Sequence, residues 1–326
     1  MRVGYFCTFT PKELIEAAGF SPFRILAKES ITGIANAHIQ SYSCSQARGS
    51  LERALRAELQ LEGVIFTRSC DTLMRLADIW ERNTKMRVYN FEFPTRVDEK
   101  SKDFLISEIR DLATTLKLWG GDITLQSLKE SIELYKELEK KLEELFSIKP
   151  DYELILRVQE MSVKEALKMI KVPQKERDKP KVLITGSVCP FLNVFKLFEE
   201  VGFAIKDDLC TGTRFFSFKY PEIDINSIED GFRYLAEKYL YKAECPTKHY
   251  ERERRFRRIL ELSKDCNGVI FLLMKFCDPH FFDYPQLKEE LEEMGKKTML
   301  LEIEFPVVSL EQLRTRLEAF YEVISC

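Results

Sequence analysis

Gly63-Val64-Ile65-Phe66-Thr67-Arg68-Ser69-Cys70-Asp71 has a counterpart late in the chain, Gly268-Val269-Ile270-Phe271-Leu272-Leu273-Met274-Lys275-Phe276-Cys277-Asp278. Both open on the same four residues, and both carry a Cys-Asp pair shortly after the apolar run ends. An unbroken run rich in Val, Ile and Phe, too short for a helix, fits a strand buried on both faces. A further apolar run follows each: Val88-Tyr89-Asn90-Phe91-Glu92-Phe93-Pro94 and Leu300-Leu301-Glu302-Ile303-Glu304-Phe305-Pro306. The chain thus reads as a duplicated α/β unit with thiols just past matching strand ends.

Working outward, the first unit opens on a strand at Arg2–Phe6 and a helix starting near Pro11, ended by Gly19. A helix over Ser50–Leu61, the strand Val64–Thr67, a helix over Thr72–Arg82 and the strand Met86–Phe91 follow. The second unit restarts with a strand at Lys181–Thr185 and a helix over Leu192–Glu200. Its Val201-Gly202-Phe203 echoes Ala18-Gly19-Phe20. The strand Val269–Met274, a helix over Pro285–Met294, the strand Thr298–Ile303 and a terminal helix capped at Ser309 complete it. Strands alternating with helices predict mostly parallel sheets.

Between the units the pattern changes. Leu125, Leu128, Ile132, Tyr135, Leu138, Leu142 and Leu145 recur every three or four residues, with Lys and Glu filling the gaps, which predicts one long amphipathic helix. Such spacing suits either a coiled-coil dimer or a helical layer packed on its own chain. Ser162-Val163-Lys164-Glu165 is a capping box, and Lys171–Lys181 reads as a linker. The expected architecture is two Rossmann-like parallel-sheet domains related by an internal repeat. They cover residues 1–102 and 181–326, with a helical segment at 103–180.

The bulk numbers agree. A chain of 326 residues exceeds what one core usually holds. A net charge of −3 gives no electrostatic reason to expect nucleic acid as partner. No apolar run is long enough to span a bilayer, and no signal-peptide pattern opens the sequence, so the expected location is the cytoplasm.

Nine cysteines are many for such a protein. Without an export signal, metal ligation or redox chemistry explains them better than a disulfide framework. No C-x-x-C pair is present, so a zinc ribbon is disfavoured and the fold must gather distant thiols. Ligands of open parallel sheets collect beyond the carboxyl ends of the strands, where Cys70 and Cys277 fall. Cys44 precedes a helix, and Cys189 and Cys210 follow strands of the second unit. Soft thiolates in this number point to an iron–sulfur cluster, and three thiolates on a four-iron cube leave one iron open. Cys266 and the terminal Cys326 read as idle, and Cys7 is ambiguous.

Five stretches in order carry a family resemblance. They are Thr10-Pro11-Lys12-Glu13-Leu14-Ile15-Glu16-Ala17-Ala18-Gly19-Phe20, Cys44 with Arg48, Ser69-Cys70-Asp71, Lys275-Phe276-Cys277-Asp278-Pro279, and Gln312-Leu313-Arg314-Thr315-Arg316-Leu317-Glu318-Ala319-Phe320. Together they resemble the superfamily of 2-hydroxyacyl-CoA dehydratase D-components and benzoyl-CoA reductase subunits, which includes the double-cubane cluster proteins. The resemblance implies a [4Fe–4S] cluster on Cys44, Cys70 and Cys277, an ATP-dependent iron–sulfur activator supplying low-potential electrons, and a small-molecule substrate such as an acyl-CoA. It also implies a homodimer or a heterodimer with a related subunit. Cys189, Cys210 and Cys245 fall where double-cubane relatives carry extra ligands, implying an [8Fe–9S] centre as the alternative cofactor. In this sequence Ser187-Val188 stands between Thr185-Gly186 and Cys189, a departure from those relatives.

His280 is a candidate proton donor beside the cluster, and Arg48 and Arg214 could offset thiolate charge or orient an anionic substrate. Lys248–Arg258, with seven basic groups, reads as a solvated helix face. Two functions compete: an oxygen-sensitive reductase or dehydratase component, and a non-catalytic cluster carrier.

Overall fold

The computed structural model describes residues 1–28, 32–172, 179–248, 251–304 and 309–325. Cys326, His249, Phe305-Pro306 and most of the expected linker lie outside the described residues. Along the chain run β1 (Arg2–Tyr5), α1 (Lys12–Ala17), β2 (Ser21–Arg24), α2 (Ser45–Leu55), β3 (Gly63–Thr67), α3 (Asp71–Asn83) and β4 (Arg87–Phe91). Next come α4 (Glu99–Leu118), α5 (Leu125–Ile148), α6 (Tyr152–Val158) and α7 (Val163–Met169). The remainder is β5 (Lys181–Gly186), α8 (Leu192–Val201), β6 (Ala204–Asp208), α9 (Thr213–Phe216), α10 (Ile228–Leu240), α11 (Arg252–Ser263), β7 (Gly268–Met274), α12 (Asp278–Glu293), β8 (Lys297–Ile303) and α13 (Leu310–Ser325).

The strands form two all-parallel sheets of identical order, β2-β1-β3-β4 and β6-β5-β7-β8. The repeat holds at the level of register, because Val3 pairs with Gly63 and Val182 with Gly268. Both GVIF glycines have the same reason to lack a side chain. A Cβ on Gly63 would lie 2.5 Å from the Trp119 ring, and one on Gly268 would lie 2.9 Å from the Phe320 ring. In each lobe an aromatic side chain therefore seats directly on the strand's first residue. Every residue of β3 and β7 is buried, as continuous apolar runs covered on both faces require.

The long helix α5 buries Leu128, Ile132, Tyr135, Leu138, Leu142 and Leu145 against α1, α7, α9 and α10 of its own chain. It is a structural layer, and α4 packs beside it on α10. One continuous apolar core joins Val3 and Ile65 of the first sheet to Ile184 and Ile270 of the second.

Three elements near the cysteines depart from the pattern expected of the sequence. β2 has no counterpart among the strands expected from the sequence. It is a four-residue edge strand containing Pro22, which an edge tolerates and a central strand does not. α2 runs from Ser45 to Leu55, not from Ser50 to Leu61. It stops where Ala57 takes φ of 57°, a turn usually marked by glycine or asparagine. α12 begins at Asp278, with Pro279 in its first turn where a missing N–H costs nothing, and it runs through Pro285 instead of starting there. The last two differences move a helix start to the residue directly after a cysteine.

Candidate metal centre between the two sheets

Cys44, Cys70 and Cys277 are the N-cap residues of α2, α3 and α12. None makes a cap hydrogen bond of ordinary geometry. Backbone amides in the first turn still face each sulfur: those of Gln46 and Ala47 at Cys44, Leu73 at Cys70 and His280 at Cys277. The positive ends of three helices thus meet three thiols, an arrangement that favours the thiolate form. Cys70 and Cys277 each sit three residues beyond the central strands β3 and β7. In this strand order the chain leaves β1 and β3 in opposite directions, and their carboxyl ends frame the sheet's natural ligand crevice.

The thiols sense one another. Burial raises the Cys277 pKa well above its ordinary value, and charge on Cys44, Cys70 and Cys245 raises it further. Burial pushes Cys70 up to about 12, with Cys44, Cys7 and Cys245 adding to the rise. Without a metal these are protonated thiols, so metal binding must release their protons. Cys7, Cys44, Cys70, Cys210, Cys245 and Cys277 are all half-buried, whereas Cys189 and Cys266 are buried. Among the described residues no three His, Cys, Asp or Glu side chains gather around a point as a single metal ion would need. A polynuclear cluster has a different requirement, because each thiolate binds a different iron.

The backbone is strained at the same place. Phe276, directly before Cys277, has φ of 65°, a region bulky residues rarely enter.

Cations ring the thiols. Arg24 is buried at the end of β2, yet its hydrogen bonds reach the other lobe. Its Nη2 lies 3.0 Å from the Cys210 sulfur and its Nη1 2.9 Å from the Cys210 carbonyl oxygen. Its Nε donates to the Phe6 carbonyl at 3.0 Å, and Nη1 also donates to Gln159. Burial alone would raise the Cys210 pKa, but Arg24 and Arg214 outweigh it and the net shift is downward. Buried Lys242 donates to the Arg214 carbonyl, and buried Lys248 to that of Phe93 at 2.9 Å. These three cations donate to carbonyls, an amide and a sulfur rather than to carboxylates. Arg214 Nε, also buried, has no hydrogen-bond partner among the described residues. Burial pushes the Lys242 pKa down to about 7 and lowers that of Lys248, and a buried cation without a carboxylate either gives up its proton or pairs with another anion. Thiolates and the iron–sulfur unit they would hold supply such an anion, so the residues present fit the group.

Arg48 is committed structurally. Its Nε donates to the Ser43 carbonyl at 3.0 Å, and its Nη2 reaches Glu304 at 2.8 Å, with Lys275 on the other Glu304 oxygen at 2.9 Å. This clasp joins the two lobes beside Cys44. His280 lines a cavity of about 20 Å³ with Arg214, Arg255, Asp208 and Asp283, room for about one water. Burial, Arg214 and Arg255 hold its pKa well below the usual value, so it is a neutral imidazole rather than a ready acid. Cys245 is placed by Thr247, 3.2 Å from its sulfur. Cys189 sits in the core, where its backbone exchanges hydrogen bonds with the Thr211 hydroxyl at 3.3 and 3.1 Å. The basic segment is split: Arg252 and Arg257 are exposed, as a solvated face requires, while other members turn inward. Arg255 pairs with Asp283 at 2.6 Å, Arg258 with Asp208 at 3.1 Å and Arg254 with Glu244 at 3.4 Å.

Sequence reasoning missed Arg24, Lys242 and the buried quartet of Lys12, Glu13, Glu139 and Lys238. In that quartet Lys238 lies 2.5 Å from Glu13 and 2.7 Å from Glu139, while Lys12 lies 2.9 Å from Glu139. The quartet locks α1 to α5 and α10. Only the position of Lys12-Glu13 within the opening motif hinted at it.

This layout is a pair of parallel-sheet lobes presenting thiols at facing carboxyl edges. Residues 7–324 match the family described as 2-hydroxyglutaryl-CoA dehydratase, D-component, and the chain belongs to that family. It is 29% identical to the (R)-phenyllactyl-CoA dehydratase beta subunit of Clostridium sporogenes, covering 99% of this chain and 91% of that one. It is 27% identical to the beta subunit of lactoyl-CoA dehydratase of Anaerotignum propionicum, with the same coverage. To a subunit of the benzoyl-CoA reductase of Thauera aromatica it is 27% identical over 89% of this chain and 82% of that one. No helix among the described residues is long and apolar enough to cross a membrane.

Proposed function

We propose that this chain is one subunit of an iron–sulfur dehydratase or reductase acting on an acyl-CoA, with a four-iron cluster on Cys44, Cys70 and Cys277. The observation that supports it best is the convergence of three N-capping thiols from both lobes, each facing backbone amides of its own helix. When bound, such a cluster supplies one-electron transfer and one iron without a protein ligand. The chain's own groups prepare that position. Helix ends and buried cations stabilise negative charge, and the Arg48–Glu304–Lys275 clasp keeps Cys44 and Cys277 in one cleft. His280, neutral and beside a water-sized cavity, serves as a hydrogen-bond partner or proton acceptor more readily than as an acid.

The relatives' names extend the reading. Two are beta subunits of CoA-ester dehydratases, so a partner subunit belongs to the working enzyme. Electrons come from an ATP-hydrolysing iron–sulfur activator. The test is anaerobic reconstitution with iron and sulfide, followed by assay of a 2-hydroxyacyl-CoA with partner subunit, activator and ATP. Turnover that requires ATP and disappears in Cys70→Ser supports the reading. Iron binding without turnover, with transfer of the cluster to an apo-acceptor, would replace it with a carrier role.

A further inference from the structure

We propose that Lys242 is the proton-loading group of the cleft: its amine takes up one proton from solvent as one electron arrives from a low-potential one-electron donor. This role rests on the iron–sulfur reading above and adds a charge-compensating residue to that site. Its basis is a cluster of buried charges that does not balance. Lys12, Lys238 and Lys242 all stand over the Phe218 ring, with Nζ 4.7, 4.3 and 4.5 Å from its centroid. The carboxylates of this cluster are Glu13 and Glu139, both buried, and they pair with Lys12 and Lys238. Lys242 is buried too, yet no carboxylate lies within ion-pair distance of it among the described residues. Its Nζ donates to the Arg214 carbonyl. Three lysines against two glutamates leave Lys242 as the surplus cation.

The surplus lysine is also the one that senses the thiols. Charge on Lys12, Cys210, Cys7 and Glu139 reaches it. Burial and then Lys12 hold its pKa down to about 7, while Cys210, Cys7 and Glu139 pull the other way. Negative charge added to the cleft therefore favours the ammonium, and the amine takes up a proton. The paired lysines are placed differently. Burial alone would lower the Lys238 pKa, but Glu13 and Glu139 outweigh it, so Lys238 keeps its proton. Burial lowers the Lys12 pKa, against the pull of Glu139 at 2.9 Å. Lys12 donates to the Phe215 carbonyl at 3.4 Å, next to the carbonyl that Lys242 holds. Glu139 in turn accepts from the Tyr220 hydroxyl at 3.3 Å, and Tyr220 is half-buried. The cluster thus extends from the thiols to the surface.

The experiment uses the full chain in two forms. In the metal-free protein, a lysine with a lowered folded pKa is neutral when folded and protonated when unfolded, between about pH 7 and 10.5. The unfolded state then binds more protons, so the share of stability set by Lys242 rises with pH across that window. The urea midpoint of the wild type should rise relative to that of Lys242→Met over the same range. In protein reconstituted anaerobically with ferrous iron and sulfide, the midpoint potential should fall with rising pH above about 7. It should be flat in Lys242→Met and in Lys242→Arg, whose charge is permanent, and lie higher in the arginine variant. Thermal melts check folding, and either variant, if folded, decides the matter. A wild-type potential independent of pH, or a pH-dependent one that survives in both variants, overturns the role of Lys242 and leaves the cluster standing. A stability difference that stays constant from pH 7 to 10.5 overturns it as well. If the reconstituted wild type holds no iron, the iron–sulfur reading fails and this role fails with it.

Discussion

Arg24 and Cys210 come from different sheets, yet the guanidinium of one lies 3.0 Å from the sulfur of the other. Arg24 ends β2 and Cys210 follows β6, so this contact spans the cleft that the lobes share. Removing the cation strands the Phe6 and Cys210 carbonyls and Gln159 without their donor. We expect Arg24→Met to destabilise the metal-free protein by about 3 kcal/mol, the scale for breaking a buried charged network. Anaerobic urea denaturation measures this, and Arg24→Lys should lose less.

The quartet of Lys12, Glu13, Glu139 and Lys238 predicts a pH dependence. Burial alone would raise the Glu13 pKa, but Lys238 and Lys12 outweigh it, and the Tyr239 hydroxyl adds a bond at 2.7 Å. The net pKa is below the ordinary 4.5. A carboxyl with a lowered folded pKa contributes stability above its unfolded pKa and loses it as pH falls through the folded one. Stability should therefore decline below about pH 4.5, the ordinary value for this group. Glu13→Gln should flatten that decline and cost about 3–5 kcal/mol at neutral pH. Denaturation midpoints across acid pH test both.

Arg48 and Glu304 predict a separation of stability from site function. The pair is partly exposed on the Glu304 side, and such pairs contribute up to about 1 kcal/mol. Arg48→Ala should lower the stability of the metal-free protein by about 1–3 kcal/mol, because Arg48 is buried and the Ser43 carbonyl also loses its donor, whereas Glu304→Gln should barely shift the melting temperature. Both should hasten iron loss under air, because Cys44 and Cys277 are no longer held across the clasp. Release of iron to a chelator over time measures the effect.

Gly212 predicts a steric failure near Cys210. A Cβ there would lie 2.1 Å from an Asp207 oxygen, and that carboxylate accepts hydrogen bonds from Tyr152 at 2.9 Å and the Leu209 amide at 3.1 Å. The loop bearing Cys210 is wound around Asp207. Gly212→Ala should destabilise the fold by about 1–3 kcal/mol, as overpacking does. Paired melts of the two chains check it.

Much of the fold was legible because the central strands are continuous apolar runs, and parallel strands covered on both faces need such runs. GVIF at Gly63 and Gly268 marked one buried strand in each sheet and the repeat that relates them. β2 escaped notice because an edge strand of four residues needs neither length nor purity, and Pro22 argued against it. The helix starts were misplaced because cysteine is not a usual N-cap. At Cys44 and Cys277 the cap is the thiol-bearing residue itself, so the thiols were named from the sequence while the helix boundaries they set were not. The charges of Lys12, Glu13, Glu139 and Lys238 looked like solvated positions within amphipathic patterns. Only tertiary packing shows that they neutralise one another inside. The link from Arg24 to Cys210 has no local signal, since nothing near either residue specifies the other.

The most direct test of the central claim is iron-edge anomalous diffraction from anaerobically grown crystals of the reconstituted protein. The account predicts strong density in the inter-lobe cleft, bonded to the sulfurs of Cys44, Cys70 and Cys277. Iron bound elsewhere, or a cleft empty of iron in protein that carries it, would contradict the account.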